Sequence, residues 1–143
     1  MAEIQSFHEI DPAKAGCAEK TVRKEDLAVT VGSGSLAVLA TPVLSCWMEE
    51  VCHLAAAEGQ EEGRTSVGAS FSLQHLAPTA EGRKVRICAE ETERGTKSLR
   101  YHIVAFDEAG KIGEAEHVRV YVNETRFMDR LAVRYQPAES DRS

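Results

Sequence analysis

Thr41, Glu49 and His75 are the side chains of this sequence best suited to act together on a carbonyl carbon. Thr41, Ser45, Glu49 and His53 follow one another at intervals of four, so on a helix they form one slowly drifting stripe. That stripe faces away from the row Leu44, Met48, Val51 and Ala55, whereas Glu50 falls at the edge of the apolar face beside Val43 and Leu54. A purely structural reading makes Thr41 an N-cap and Glu49 with His53 a solvated i,i+4 pair. Downstream, strict alternation puts His75 on one strand face with Val67, Ala69, Phe71 and Leu73, turned toward the helix. A histidine there can also be a satisfied core residue. Gly68 lies mid-strand, where a glycine marks a bulge or a close approach by backbone or ligand. Acyl transfer needs an activated oxygen nucleophile or water, a base, and donors aimed at the oxyanion. A hydroxyl (Thr41), a carboxylate (Glu49), an imidazole (His75) and a bare N–H (Gly68) supply that set. Which of Thr41 and Glu49 attacks is left open by the sequence. Eight helical residues span about 12 Å, so Thr41 and Glu49 of one helix cannot touch. Either His75 bridges them or a second subunit brings its own helix alongside, which predicts a site at or near a two-fold interface.

The elements that must position these groups are read from period and punctuation. Residues 1–26 are polar and mixed and read as an irregular lead-in. Leu27–Val31 reads as a short strand, followed by the break Gly32-Ser33-Gly34-Ser35. Thr41-Pro42 is a helix start, with Thr at the N-cap and Pro at the first helical position. Apolar residues recur from Val43 to Ala55 at helical spacing, and Gly59 and Gly63 end the helix. The period then falls to two, with strands marked by Val67–Leu73, Val85–Ala89, Leu99–Ala105 and Val118–Val122. Phe127, Met128 and Leu131 suggest a short closing helix before a polar tail at 136–143. One long helix before a meander of four longer strands predicts an α+β protein with a curved antiparallel sheet wrapped around one central helix. That is the hot-dog arrangement. Cone-shaped α+β barrels are the structural rival and need more than one helix before the long strands.

Composition narrows the classes. At 143 residues the chain is read as one domain over 1–143. Hydrophobic residues make up 43% and charged residues 28%, as in ordinary soluble proteins. The net charge of −6 argues against a general grip on nucleic acid, and no apolar run approaches a membrane span. With no basic-then-apolar leader at Met1-Ala2-Glu3-Ile4-Gln5, a cytoplasmic location is expected. Cys17, Cys46, Cys52 and Cys88 form no CxxC pair and fit no zinc site, so reduced, mostly buried thiols are expected.

Three blocks carry a family resemblance. Ala40-Thr41-Pro42 with Met48-Glu49-Glu50-Val51-Cys52 is similar to the helix of the fluoroacetyl-CoA-specific thioesterase family, a hot-dog group. Ser66-Val67-Gly68 with His75-Leu76-Ala77-Pro78-Thr79 and Gly82 follows the same pattern. So does Ile112-Gly113-Glu114 with His117-Val118-Arg119, ending near Phe127. The resemblance spans about residues 35–130. It implies a homodimer, or a dimer of dimers, that hydrolyses acyl-CoA thioesters with no metal or other cofactor, coenzyme A entering only as part of the substrate. It places the family's catalytic residues on Thr41, Glu49 and His75, selecting Glu49 over Glu50, and its substrate-binding residues on Gly68 and Arg119. Residues 27–40 contain no aromatic side chain to close a pocket around a tiny fluorinated acyl group. Another small or medium acyl-CoA, or an acyl-carrier substrate, is therefore expected as readily as fluoroacetyl-CoA. Arg83, Lys84 and Arg86 are candidate contacts for coenzyme A, or else solvated charges at a strand edge. The alternative function is a non-catalytic acyl-CoA or CoA-binding module on the same fold. A hot-dog dehydratase is a third class, but its histidine–aspartate pattern is missing from the sequence.

Overall fold

The computed structural model describes residues 15–137. Strand β1 (Ala15–Thr21) leads into a 3-10 turn (Lys24–Asp26) and a single helical turn, α1 (Ala28–Val31). The long helix α2 (Thr41–Ala57) precedes β2 (Arg64–His75), β3 (Lys84–Arg94), β4 (Ser98–Asp107) and β5 (Gly110–Asn123), and α3 (Glu124–Arg134) closes the chain. The five strands form one sheet in the order β1-β3-β4-β5-β2, every neighbour antiparallel. Helix α2 lies on its inner face, packed against β1, β2, β3 and β4. This is the expected α+β hot-dog architecture.

Burial explains why the helix sits there. Leu44, Met48, Val51 and Cys52 are buried on α2 and meet Ile87, Leu99, Tyr101, Ile103, Ile112 and Ala115 from the sheet. Leu44 and Met48 have no exposed surface, and truncating either to alanine would cost about 2–5 kcal/mol. Cys88, Val104 and Phe106 make a smaller apolar cluster separate from that core.

Four local expectations are corrected. Residues 15–21 of the expected irregular lead-in form an edge strand paired with β3, while residues 1–14 lie outside the described residues. Leu27–Val31 is not a strand. Leu27 makes only an isolated bridge to Leu39, and Ala28–Val31 is a helical turn closed by Gly32 at φ 93° donating to the Ala28 carbonyl. Two valines favoured the extended reading, but both are exposed, with no strand partner to hold them. Thr41 is the first helical residue rather than the cap, which is Ala40, so its hydroxyl is free for other work. Finally, Cys17 and Cys88, expected as reduced thiols, are joined in a disulfide. They stand directly opposite across β1 and β3 with Cα atoms 4.1 Å apart, a proximity the sequence could not reveal while β1 was unrecognised. Cys46 and Cys52 are free. Among the described residues no helix is long and apolar enough to cross a membrane.

Candidate active site

The candidate residues fall into two groups on one helix face, one at the N-terminus of α2 and one at its middle. At the N-terminus of α2, Thr41 Oγ1 and His75 Nδ1 are 2.8 Å apart. His75 ends β2, and its Nε2 is buried without a hydrogen-bond partner. Burial holds the His75 pKa below the ordinary 6.5, opposed by the nearby Ala77 backbone. The imidazole is therefore neutral near pH 7 and fit to accept a proton. With its own proton on Nε2, it leaves Nδ1 to accept from the Thr41 hydroxyl. A cleft of about 450 Å³ opens here, lined by Thr41, Pro42 and His75, and across from them by Ala28, Ser33, Val38 and Leu39.

Eight residues along α2, Glu49 reaches a different set of partners. Its Oε2 is 3.5 Å from Arg119 Nη1 and 3.9 Å from His117 Nε2. Arg119 is 5% exposed and held on three sides. Nε donates to Ser66 Oγ at 2.8 Å, Nη2 to the Ser66 carbonyl at 3.0 Å, and Nη1 to His117 Nε2 at 3.1 Å. His117 in turn donates from Nδ1 to the Ser70 carbonyl at 2.8 Å. That bond fixes the tautomer and leaves Nε2 as the acceptor Arg119 needs. Burial depresses the His117 pKa, helped by Arg119 and opposed by the Ser70 carbonyl and Glu49, so this ring too is neutral. Glu49 is the carboxylate that offsets a buried guanidinium.

Gly68 makes room for that carboxylate. A Cβ on Gly68 would collide with Glu49 Oε2 and lie 3.2 Å from His117 Cε1. Glu50, by contrast, turns to the surface and pairs with Lys20 at 2.7 Å. The structure thus separates the two glutamates that the helical wheel left together. His53, the other member of the expected i,i+4 pair, is exposed and has no ion pair with Glu49 among the described contacts.

Strict alternation along β2 does not hold, and the departure shapes the site. The register with β5 shifts between Gly68 and Ser70. Before the shift Gly68 faces Arg119; after it Phe71 faces His117 and His75 faces Gly113. Val67 therefore does not share a face with Phe71, Leu73 and His75. The bulge lets Gly68 and His75, seven positions apart, both look toward α2. Without it one of them would face away.

His117 and Ser66 are the residues that sequence reasoning passed over. Val118, Val120 and Val122 drew attention in β5, yet from Ala115 onward its buried residues are Ala115, His117, Arg119 and Tyr121. Ala115 and Tyr121 at the same parity were the available signal. The buried thiol of Cys52 is pushed up to about 12, chiefly by burial, so it is no nucleophile at neutral pH.

A model of the fluoroacetyl-CoA-specific thioesterase family matches residues 22–125, a span holding both groups of residues. The chain belongs to this family. A fluoroacetyl-CoA thioesterase of Streptantibioticus cattleyicolor is 30% identical over 90 residues, 63% of this chain and 65% of that protein. The matched region is thus just under two thirds of that relative. Among solved structures, the fluoroacetyl-CoA thioesterase FlK superposes with TM-score 0.79 at 22% identity, over 86% of this chain and 95% of FlK. A hot-dog-like protein from Thermanaerovibrio acidaminovorans gives TM-score 0.82 at 22% identity, covering 92% and 98%. A thioesterase superfamily member from Thermus thermophilus gives 0.77 at 23%, covering 85% and 92%. These three likenesses establish the hot-dog fold of the fluoroacetyl-CoA-specific thioesterase family in this chain.

Proposed function

We propose that this protein hydrolyses the thioester of a small or medium acyl-CoA, and that it works as a homodimer whose sites are each shared between two copies. The observation that carries the reading is the Thr41–His75 hydrogen bond at the mouth of a cleft, a hydroxyl and its base poised as for acyl transfer. In the first step the Thr41 hydroxyl gives its proton to His75 Nδ1 and its oxygen bonds to the thioester carbonyl carbon. The C–S bond breaks, and the leaving thiolate takes the proton from His75 to become free coenzyme A. In the second step a carboxylate accepts a proton from water, whose oxygen attacks the acyl-threonine ester. The acid departs as the carboxylate passes the water's proton to the Thr41 oxygen, restoring both groups.

Glu49 is the carboxylate for the second step, supplied by the partner subunit. Within one copy it lies eight residues, about 12 Å, along the helix from Thr41. Strand β2 is an edge strand whose outer side has no described neighbour. Two copies of β2 pairing antiparallel about an axis between Phe71 and Ser72 would set position 68 of one opposite position 75 of the other. The Gly68–Glu49 group then meets the Thr41–His75 group across the interface, and Arg119 holds the carboxylate in place.

The acyl group is addressed by the cleft's other wall. Ala28, Val38 and Leu39 are aliphatic and Ser33 is small, with no aromatic ring in residues 27–40. A wall of this kind suits an aliphatic chain longer than two carbons. Thiol release from an acyl-CoA series running from acetyl upward tests the reading. We expect turnover to rise beyond acetyl, and His75→Ala to lose about two orders of magnitude in kcat. Undiminished turnover in His75→Ala would overturn the site, and CoA binding without turnover of any chain would favour the binding module.

A further inference from the structure

We infer that a second cleft, at the junction of β2, β5 and α3, receives the phosphates of coenzyme A; this rests on the acyl-CoA reading above. The cleft is about 510 Å³ and is lined by Arg64, Lys97, Arg126 and Arg130, with Glu61 and Glu62 the only carboxylates on its wall. Four cations against two carboxylates is a local excess of positive charge in a chain whose net charge is −6. None of the four cations forms an ion pair with a described carboxylate.

Two features of their placement favour a bound anion. Arg126 and Arg130 are four apart on α3, where like charges repel. Arg126 also sits in the first turn of that helix, the end that disfavours a cation and attracts an anion. Asn123 caps the turn, accepting from the Arg126 N–H at 3.0 Å. Arg64 is held in advance, 4.2 Å above the Tyr121 ring and donating to the Thr96 carbonyl at 3.1 Å. A bound phosphate would relieve the repulsion and meet donors already fixed in place.

The cleft also lies on the right track. Arg64 and Gly68 are on one strand, both before the bulge and of the same parity, so both look toward α2. Four strand residues separate them by about 13 Å, within reach of an extended pantetheine arm leading from a thioester at Gly68. The Arg83, Lys84 and Arg86 group expected from the sequence is a poorer anion site. Arg83 pairs with Glu108 at 3.4 Å, the Lys84 N–H donates to the same carboxylate at 3.2 Å, and Glu19 and Asp107 share the hollow with Lys84 and Arg86.

Calorimetric titration of the full-length protein with coenzyme A, dephospho-CoA and pantetheine tests the inference directly. Wild type should bind coenzyme A about tenfold or more tightly than pantetheine, dephospho-CoA falling between, and the advantage should shrink with added salt. Arg126→Glu combined with Arg130→Glu should erase the advantage, and so should Lys97→Glu, which lies outside α3 and guards against fraying of that helix. Equal binding of coenzyme A by wild type and both variants would overturn the inference, as would no binding at all. Thiol release from an acyl-pantetheine by wild type reports separately on whether a thioester is cut, so loss of one reading does not imply loss of the other.

Discussion

Glu49 owes its position to the absence of a side chain. Gly68 leaves the space that the Glu49 carboxylate fills, while Arg119 draws it inward. A methyl group at Gly68 meets the far end of a flexible side chain, so the fold can yield but the carboxylate must move. Gly68→Ala should therefore lower kcat about a hundredfold while changing stability by less than about 1 kcal/mol; steady-state kinetics and thermal melts check the split. His117→Gln should act through Arg119, weakening its hold on Glu49 with the fold intact. The buried histidines also set a pH dependence. His75 works as a neutral base with its pKa depressed by burial, so the acid limb of kcat should have its midpoint below the ordinary 6.5. For stability, both His75 and His117 have folded pKa values below the unfolded one. Their contribution is present above about 6.5 and is lost as pH falls from there through the folded values, because the unfolded chain then takes up protons first. Thr41 and His75 stood out because their intervals suit a helix followed by a strand, whereas only the family resemblance chose Glu49 over Glu50. His117 was not singled out, since it lies between Glu116 and Val118 and the valines at 118, 120 and 122 drew the reading to the opposite parity.

At the scale of elements, the bulge in β2 matters more than any strand boundary. Two residues seven positions apart face the same side only because one extra residue is inserted between them. A mid-strand glycine hinted at this, but its consequence, a change of parity, needs the register with β5. The long helix and four of the strands were readable because each has a clear period. Strand β1 was not, being short, polar and alternating weakly, and the helical turn at Ala28–Val31 was hidden by its valines. Recognition of β1 brings the Cys17–Cys88 disulfide with it. Thiol titration of the unfolded, unreduced protein should find two free cysteines, Cys46 and Cys52, and four after reduction. Closing a separation of 71 residues stabilises by about 4 kcal/mol in the chain-entropy description. Reduction should therefore lower the Tm by roughly 10–15 °C, and an unchanged Tm would show that the pairing adds nothing.

At the scale of the molecule, one protomer holds the Thr41–His75 and Glu49–Arg119 groups on one helix face, and β2 is a long edge strand with no outer neighbour among the described residues. The proposed two-fold pairing of β2 would satisfy that edge and bring the two groups together, so that each copy would be incomplete without the other. The sequence pointed to this through the length of eight helical residues; the partner's contribution needs a measurement on mixed dimers. Thr41→Ala and Glu49→Gln proteins, each inactive as a homodimer, should be unfolded together, refolded and assayed for thiol release. Random mixing makes half the dimers hybrids, each with one intact site, so about a quarter of wild-type turnover should return. Recovery near that level would establish that Thr41 and Glu49 act from different copies. No recovery, with hybrid dimers demonstrably formed, would contradict it and return the site to a single chain.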